Sequence, residues 1–363
     1  GGRLGMVKTV PDGLKPGSDV ANLSAMGYDP LKCYTGRSPL EAVSIGIQMD
    51  DTDVAFRCNL VTLSDDAEYA EKTMVDYSSG EITTAEAAEL IRAVDEAFRT
   101  DEILFYPGIS YRHCMIWHQG PVGLNLTPPH DISDRKITEY LPQNPVILDL
   151  MKRSYEILKD HPINQDRIAR GLNPANSIWL WGEGTRPGVT GFEAAYGVKA
   201  SVISAVDLIK GIGLCAGMKV IEVEGATGNI DTNFKGKGEA ALKTLLDGQD
   251  LVYIHVEAPD ECGHHGDLEG KIQAIERIDQ DIVGPLLKGL EEAGEDYSIL
   301  VMPDHPTPIS IKTHISDPIP YLLYCSTDVT DSGIDTYTEK TGKSTGVYVE
   351  PGYLLMQQLL KNK

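Results

Sequence analysis

Apolar residues follow two rhythms along this chain. KVIEVEGA (219–226), DLVYIHVEA (250–258), YSILVMPDH (297–305) and PIPYLLYC (318–325) are short, nearly continuous apolar runs bounded by Gly, Pro or Asp. That is the pattern of strands buried on both faces. Between them, KGEAALKTLLDG and LEGKIQAIERIDQDIVGPLLKGLEEAG repeat apolar residues every three to four positions, which predicts amphipathic helices. Strands alternating with helices predict an α/β fold, a parallel sheet covered by helices on both faces, with ligands beyond the carboxyl ends of its strands.

The middle of the chain changes rhythm. VAFRCNLVTL, ILFYPGISYRHCMIWHQG and NSIWLWGEG alternate as half-exposed antiparallel strands do. A helix separates the first two, EITTAEAAELIRAVDEAFRT, opened by Thr83 and Thr84. The pattern predicts a smaller α+β unit inserted over 52–186, its second edge in the turn-rich GEGTRPGVTG. Residues 1–51 and 187–363 then form one discontinuous domain, as expected of 363 residues.

Candidate chemistry gathers at the predicted strand ends. Strand 250–258 runs into APDECGHHGD, where Asp260 and His264 stand one helical turn apart and suit a divalent cation. Strand 297–303 ends in Asp304 and His305, and His314 follows in IKTHISDP. A single Asp–His pair after a strand can be only a loop. Parallel topology, however, would bring all five side chains together and predicts a two-metal site. His265 would point away from His264 on a helix, and Cys262 reads as a small loop residue. In PDGLKPGSDVANLSAM, Ser18 precedes a small-residue helical run. Its hydroxyl is either an N-cap or, beside a metal pair, a nucleophile made alkoxide-like by coordination.

Charge narrows the partners. With 32 Lys+Arg against 54 Asp+Glu the formal net charge is −22, which repels nucleic acid and anionic lipid. No run reaches the ~18 apolar residues of a membrane span. Six cysteines without a CxxC pair fit reduced thiols in the cytoplasm.

PGSD (16–19), DECGHHGD (260–267), PDH (303–305) and KTHISDPIP (312–320) resemble the archaeal-type, cofactor-independent phosphoglycerate mutases of the alkaline phosphatase superfamily. CYTGRSPLEAVSIGI, VAFRCNLVTL and KASVISAVDLIKGIG are similar to that family too, so the likeness spans nearly the whole chain. Bacterial members have been labelled proposed homoserine kinases. The resemblance implies interconversion of 2- and 3-phosphoglycerate through a phosphoserine on Ser18, with no bisphosphoglycerate. It implies two divalent ions, Mn²⁺ first, with Mg²⁺, Zn²⁺ or Co²⁺ as alternatives. Asp260, His264 and His314 would hold one; Ser18, Asp304 and His305 would hold the other. Lys199 would contact the phosphoryl group, and the insert would close over the substrate, with Arg57, Arg112 and His113 as its candidate contacts. Against these, Arg57 and Arg112 can be a solvated strand face, His113 a core histidine, and Trp179 and Trp181 simple packing. The family begins with a strand ending in an Asp-Gly-Met motif, and this sequence starts after it. A phosphate-ester hydrolase or a homoserine-kinase-like phosphotransferase is the rival activity, and a homo-oligomer is compatible with either.

Overall fold

A computed structural model describes residues 2–330 and 333–361. The strands among them are β1 (Arg3–Val7), β2 (Asp53–Leu63), β3 (Met74–Asp76), β4 (Ile103–Tyr106), β5 (Arg112–His118), β6 (Ser177–Thr185), β7 (Ala200–Ile203), β8 (Lys219–Val220), β9 (Leu251–Ile254), β10 (Ser298–Val301), β11 (Ile319–Cys325) and β12 (Tyr348–Val349). The chain divides into two compact units, Gly1–Tyr34 with Gly188–Lys363, and Thr35–Pro187.

The first unit is mixed α/β, but its strands do not form one parallel sheet. β8, β7 and β9 make a three-stranded parallel sheet. β10, β11, β1 and β12 make a second sheet, in which β11 runs antiparallel to both β10 and β1. The cause lies between β10 and β11. Residues 302–318 hold no helix, and a parallel return normally needs a crossover helix, so PIPYLLYC comes back antiparallel. KVIEVEGA also keeps only Lys219–Val220 as strand. Helices follow the predicted period, at Phe234–Leu246, Leu268–Arg277 and Gly284–Ala293.

The second unit holds a five-stranded antiparallel sheet, β3-β2-β5-β4, with β6 also paired to β2. β2 departs from the half-exposed pattern: every residue except Arg57 is buried. One face packs Phe56, Cys58 and Leu60 against Leu90, Ile91 and Val94 of the helix Thr84–Phe98 and against Ile147 and Met151. On the other, Ala42, Ile47 and Met49 cover Ala55, Cys114 and Ile116. This second contact moves the expected boundary near residue 52 back to residue 35. Ser38 Oγ also donates to the Gly182 carbonyl, which ties the short helix Ser38–Ser44 to β6.

Candidate active site

Ser18 is the first residue of the helix Ser18–Ala25, and Gly17, extended at φ −169°, occupies the cap position. Its hydroxyl makes no cap hydrogen bond; it lies 3.2 Å from His305 Nε2. The N-cap reading therefore fails, because the chain enters the helix one residue early and leaves Oγ free to face the loop after β10. That loop carries Asp304, whose Oδ2 is 3.4 Å from His305 Nε2. Asp304 Oδ1 accepts from the His305 amide at 2.8 Å, and Thr9 Oγ1 donates to the Asp304 carbonyl at 2.5 Å.

Asp260 and His264 project from the helix Ala258–His265, just beyond the carboxyl end of β9. The helix stops at Gly266, whose φ of +72° is left-handed backbone that glycine adopts without strain. Cys262 is buried within this helix rather than in a loop, and His265 is exposed. His264 Nε2 stands 3.2 Å from Asp260 Oδ2, His314 Nε2 3.3 Å from Asp260 Oδ1, and the two imidazole Nε2 atoms 2.9 Å apart. Thr307 Oγ1 donates to Asp260 Oδ1. The two expected trios adjoin: His305 and His314 stack with ring centroids 3.9 Å apart.

The donor set suits a divalent cation. One ligand atom from each of Asp260, His305 and His314 lies within 4.8 Å of the others. Where His264 and His314 face each other only one nitrogen can donate, whereas both lone pairs could serve a metal. Burial raises the Asp260 pKa, but hydrogen bonds from His314 and Thr307 and the nearby imidazole charges outweigh it and hold the carboxyl at about 2. Burial lowers His305; at His314 burial is outweighed by the Asp260 hydrogen bond and charge, and the imidazole is raised.

Lys199 does not join this cluster. It is exposed and precedes β7, at the amino end of the parallel sheet, whereas the cluster follows the carboxyl end of β9. A lysine invisible to sequence reasoning is closer: Lys237 is fully buried, and its ammonium donates to the His255 carbonyl at 3.3 Å. Burial lowers it to about 8. His255 itself lies between Ser204 Oγ (3.2 Å) and Glu257 Oε2 (3.3 Å), and burial holds it neutral with a pKa of about 4.

In the second unit, Arg57 and Arg112 share one face, because Arg57 pairs with Cys114 and Asn59 with Arg112. They line a cavity of about 260 Å³ with Asn59, Tyr77, Tyr111, His130 and Trp181. Arg57 is held by Glu41 Oε2 at 3.0 Å and lies over the Trp181 ring, 4.3 Å from its centroid. Trp181 Nε1 donates to Asn59 Oδ1 at 3.0 Å. Trp181 is thus a cavity wall, while Trp179 is core, 1% exposed. His130, in the TPPHD turn, had no periodicity to announce it. His113 is displaced from the candidate set: beside Arg112 on a strand it must face the other side, where it pairs in register with Cys58 and is buried.

Comparisons with known proteins agree with the motifs. A family model described as 2,3-bisphosphoglycerate-independent phosphoglycerate mutase matches residues 1–164. A Geobacter sulfurreducens protein named probable 2,3-bisphosphoglycerate-independent phosphoglycerate mutase is 50% identical, over 99% of this chain and 90% of its own length. The 2,3-bisphosphoglycerate-independent phosphoglycerate mutase of Methanosarcina barkeri is 49% identical over 100% of this chain and 90% of its own length. The structure of the PH0037 protein from Pyrococcus horikoshii superposes with a TM-score of 0.80 at 28% identity, over 99% of this chain and 87% of that one. A cofactor-independent phosphoglycerate mutase from Thermoplasma acidophilum shares the fold, with a TM-score of 0.66 at 22% identity over 99% of this chain and 89% of that one. The chain belongs to the 2,3-bisphosphoglycerate-independent phosphoglycerate mutase family.

Proposed function

We propose that this protein interconverts 2- and 3-phosphoglycerate through a phosphoserine on Ser18, with two divalent metal ions, Mn²⁺ first, and no bisphosphoglycerate. The observation that carries the reading is Ser18 Oγ, released from capping and 3.2 Å from His305 Nε2. Asp260, His264 and His314 are the residues that would hold one ion, and Ser18, Asp304 and His305 the other. Ions held there would lower the hydroxyl pKa and neutralise phosphoryl oxygens.

The chain's own groups do the rest. Ser18 gives up its proton to solvent as its Oγ attacks phosphorus; the bond from phosphorus to the glycerate oxygen breaks, and that oxygen takes up a proton from solvent. Return of the phosphoryl group to the other glycerate hydroxyl reverses each step and restores Ser18. In the second unit, Arg57 and Arg112 are the groups suited to a carboxylate, since a guanidinium can meet it with two parallel hydrogen bonds. The stacked Trp181 and paired Glu41 keep Arg57 from swinging. The six free cysteines support a reducing, cytoplasmic setting.

The test supplies 3-phosphoglycerate with Mn²⁺ and follows 2-phosphoglycerate and free phosphate together. The expected product is 2-phosphoglycerate, lost in Ser18→Ala while the melting temperature holds, because no cap bond is removed. Free phosphate as the main product would make the protein a hydrolase. Turnover by Ser18→Ala would end the phosphoserine reading.

A further inference from the structure

Asn22 follows Ser18 by one helical turn and is fully buried, at 0% exposure. Its Nδ2 donates at 2.8 Å to the Ser18 carbonyl and at 2.8 Å to Asp304 Oδ2. Both partners are acceptors only, so the amide orientation is forced and Oδ1 must face the other way. There Tyr253 on β9 donates its hydroxyl at 2.6 Å. Burial pushes the Tyr253 phenol pKa up, and the Asp304 charge adds to it, so the hydroxyl keeps the proton it donates. Three segments far apart in sequence thus meet at one side-chain amide: the serine helix, β9 and the loop after β10.

Resting on the metal-assisted reading above, we propose that Asn22 and Tyr253 are positioning residues that hold the Asp304 carboxylate in register with Ser18. Asp304 has two carboxylate oxygens; the His305 amide in its own loop donates to Oδ1, and the Asn22 amide donates to Oδ2. Without the Asn22 amide, Oδ2 can rotate away from the His305 side. Tyr253 prevents the alternative in which Asn22 flips and presents its carbonyl to the carboxylate. Groups one shell out from a metal ligand typically control affinity by about ten- to a hundredfold.

The experiment titrates metal-stripped full chain with Mn²⁺ by calorimetry. Two binding steps are expected in the parent. Asn22→Leu should weaken one step about ten- to a hundredfold and leave the other within about twofold; Tyr253→Phe should weaken that same step by less. A general disturbance of the fold would move both steps, and that result, or no change in either, overturns the inference. If circular dichroism finds Asn22→Leu unfolded, Tyr253→Phe decides alone, and an unchanged titration refutes the proposal. Asp304→Asn separates the levels. If it abolishes a step that the Asn22 and Tyr253 variants leave intact, only the positioning role falls; if it leaves Mn²⁺ binding untouched, the metal reading falls and takes this inference with it.

Discussion

A buried histidine outside the candidate metal-ligand cluster still leaves a measurable trace. His113 accepts from the Gly108 amide through Nδ1 at 3.0 Å, so the neutral ring carries its proton on Nε2, which has no partner among the described residues. Burial drives the pKa down to about 3. In the unfolded chain it returns to about 6.5, so between these values the unfolded state binds a proton that the folded state refuses. Stability is then full above about pH 6.5 and falls as pH drops towards about 3, by up to roughly 1.4 kcal/mol per pH unit. His113→Gln keeps an acceptor for Gly108 and removes the titration. Urea unfolding at pH 7.5 and 5.5 should show the parent losing about 1 kcal/mol more than the variant; parallel losses would mean that this imidazole is not the sensor. Both candidate readings of His113, anion contact and core, had been open in the sequence. Strand period decides between them, because adjacent positions 112 and 113 cannot share a face.

Elements were more legible than their pairings. The helix Thr84–Phe98 starts where its threonines predict, with Thr83 Oγ1 accepting from the Glu86 amide at 3.3 Å. Its buried residues Ala87, Leu90, Ile91, Val94 and Phe98 keep the helical spacing. Periodicity reports burial on each face of an element, but not which strand lies alongside or in which direction. This is why β11 was expected parallel and found antiparallel, and why two sheets stand where one was expected. The same limit hid Asn22, whose partners Asp304 and Tyr253 are 282 and 231 positions away. Long-range ties of this kind also set stability. Glu86 accepts from Arg167 at 2.9 Å and from Arg170 at 2.5 Å, and the Arg167 side chain is 3% exposed. Thr83→Ala removes the cap and the exposed bond that its hydroxyl donates to Glu86 Oε2 at 2.7 Å, and should cost about 1 kcal/mol. Glu86→Ala strands a buried guanidinium that keeps only the Asn173 and Ser79 carbonyls, and should cost about 3 kcal/mol. Denaturant midpoints compare the two, and equal costs would show that Glu86 serves the cap alone.

At the scale of the whole molecule, the two compact units differ in what they can bind. Every candidate metal ligand, Ser18, Asp260, His264, Asp304, His305 and His314, belongs to the unit made of Gly1–Tyr34 and Gly188–Lys363, while Thr35–Pro187 contributes arginines and a cavity. A chain with separate cores need not unfold in one step. A ligand stabilises only the part that holds it, by about 2.7 kcal/mol when present at 100 times its dissociation constant. For a unit of this size that amounts to roughly 5–10 °C in melting temperature. Differential scanning calorimetry at rising Mn²⁺ should therefore resolve two transitions, of which one climbs by that amount and the other stays in place. Glu86→Ala should lower only the stationary one, which identifies it as the unit containing β2. If Mn²⁺ moved the transition that Glu86→Ala lowers, the metal would be bound to Thr35–Pro187, and the ligands drawn from the strand ends of the first unit would be the wrong ones.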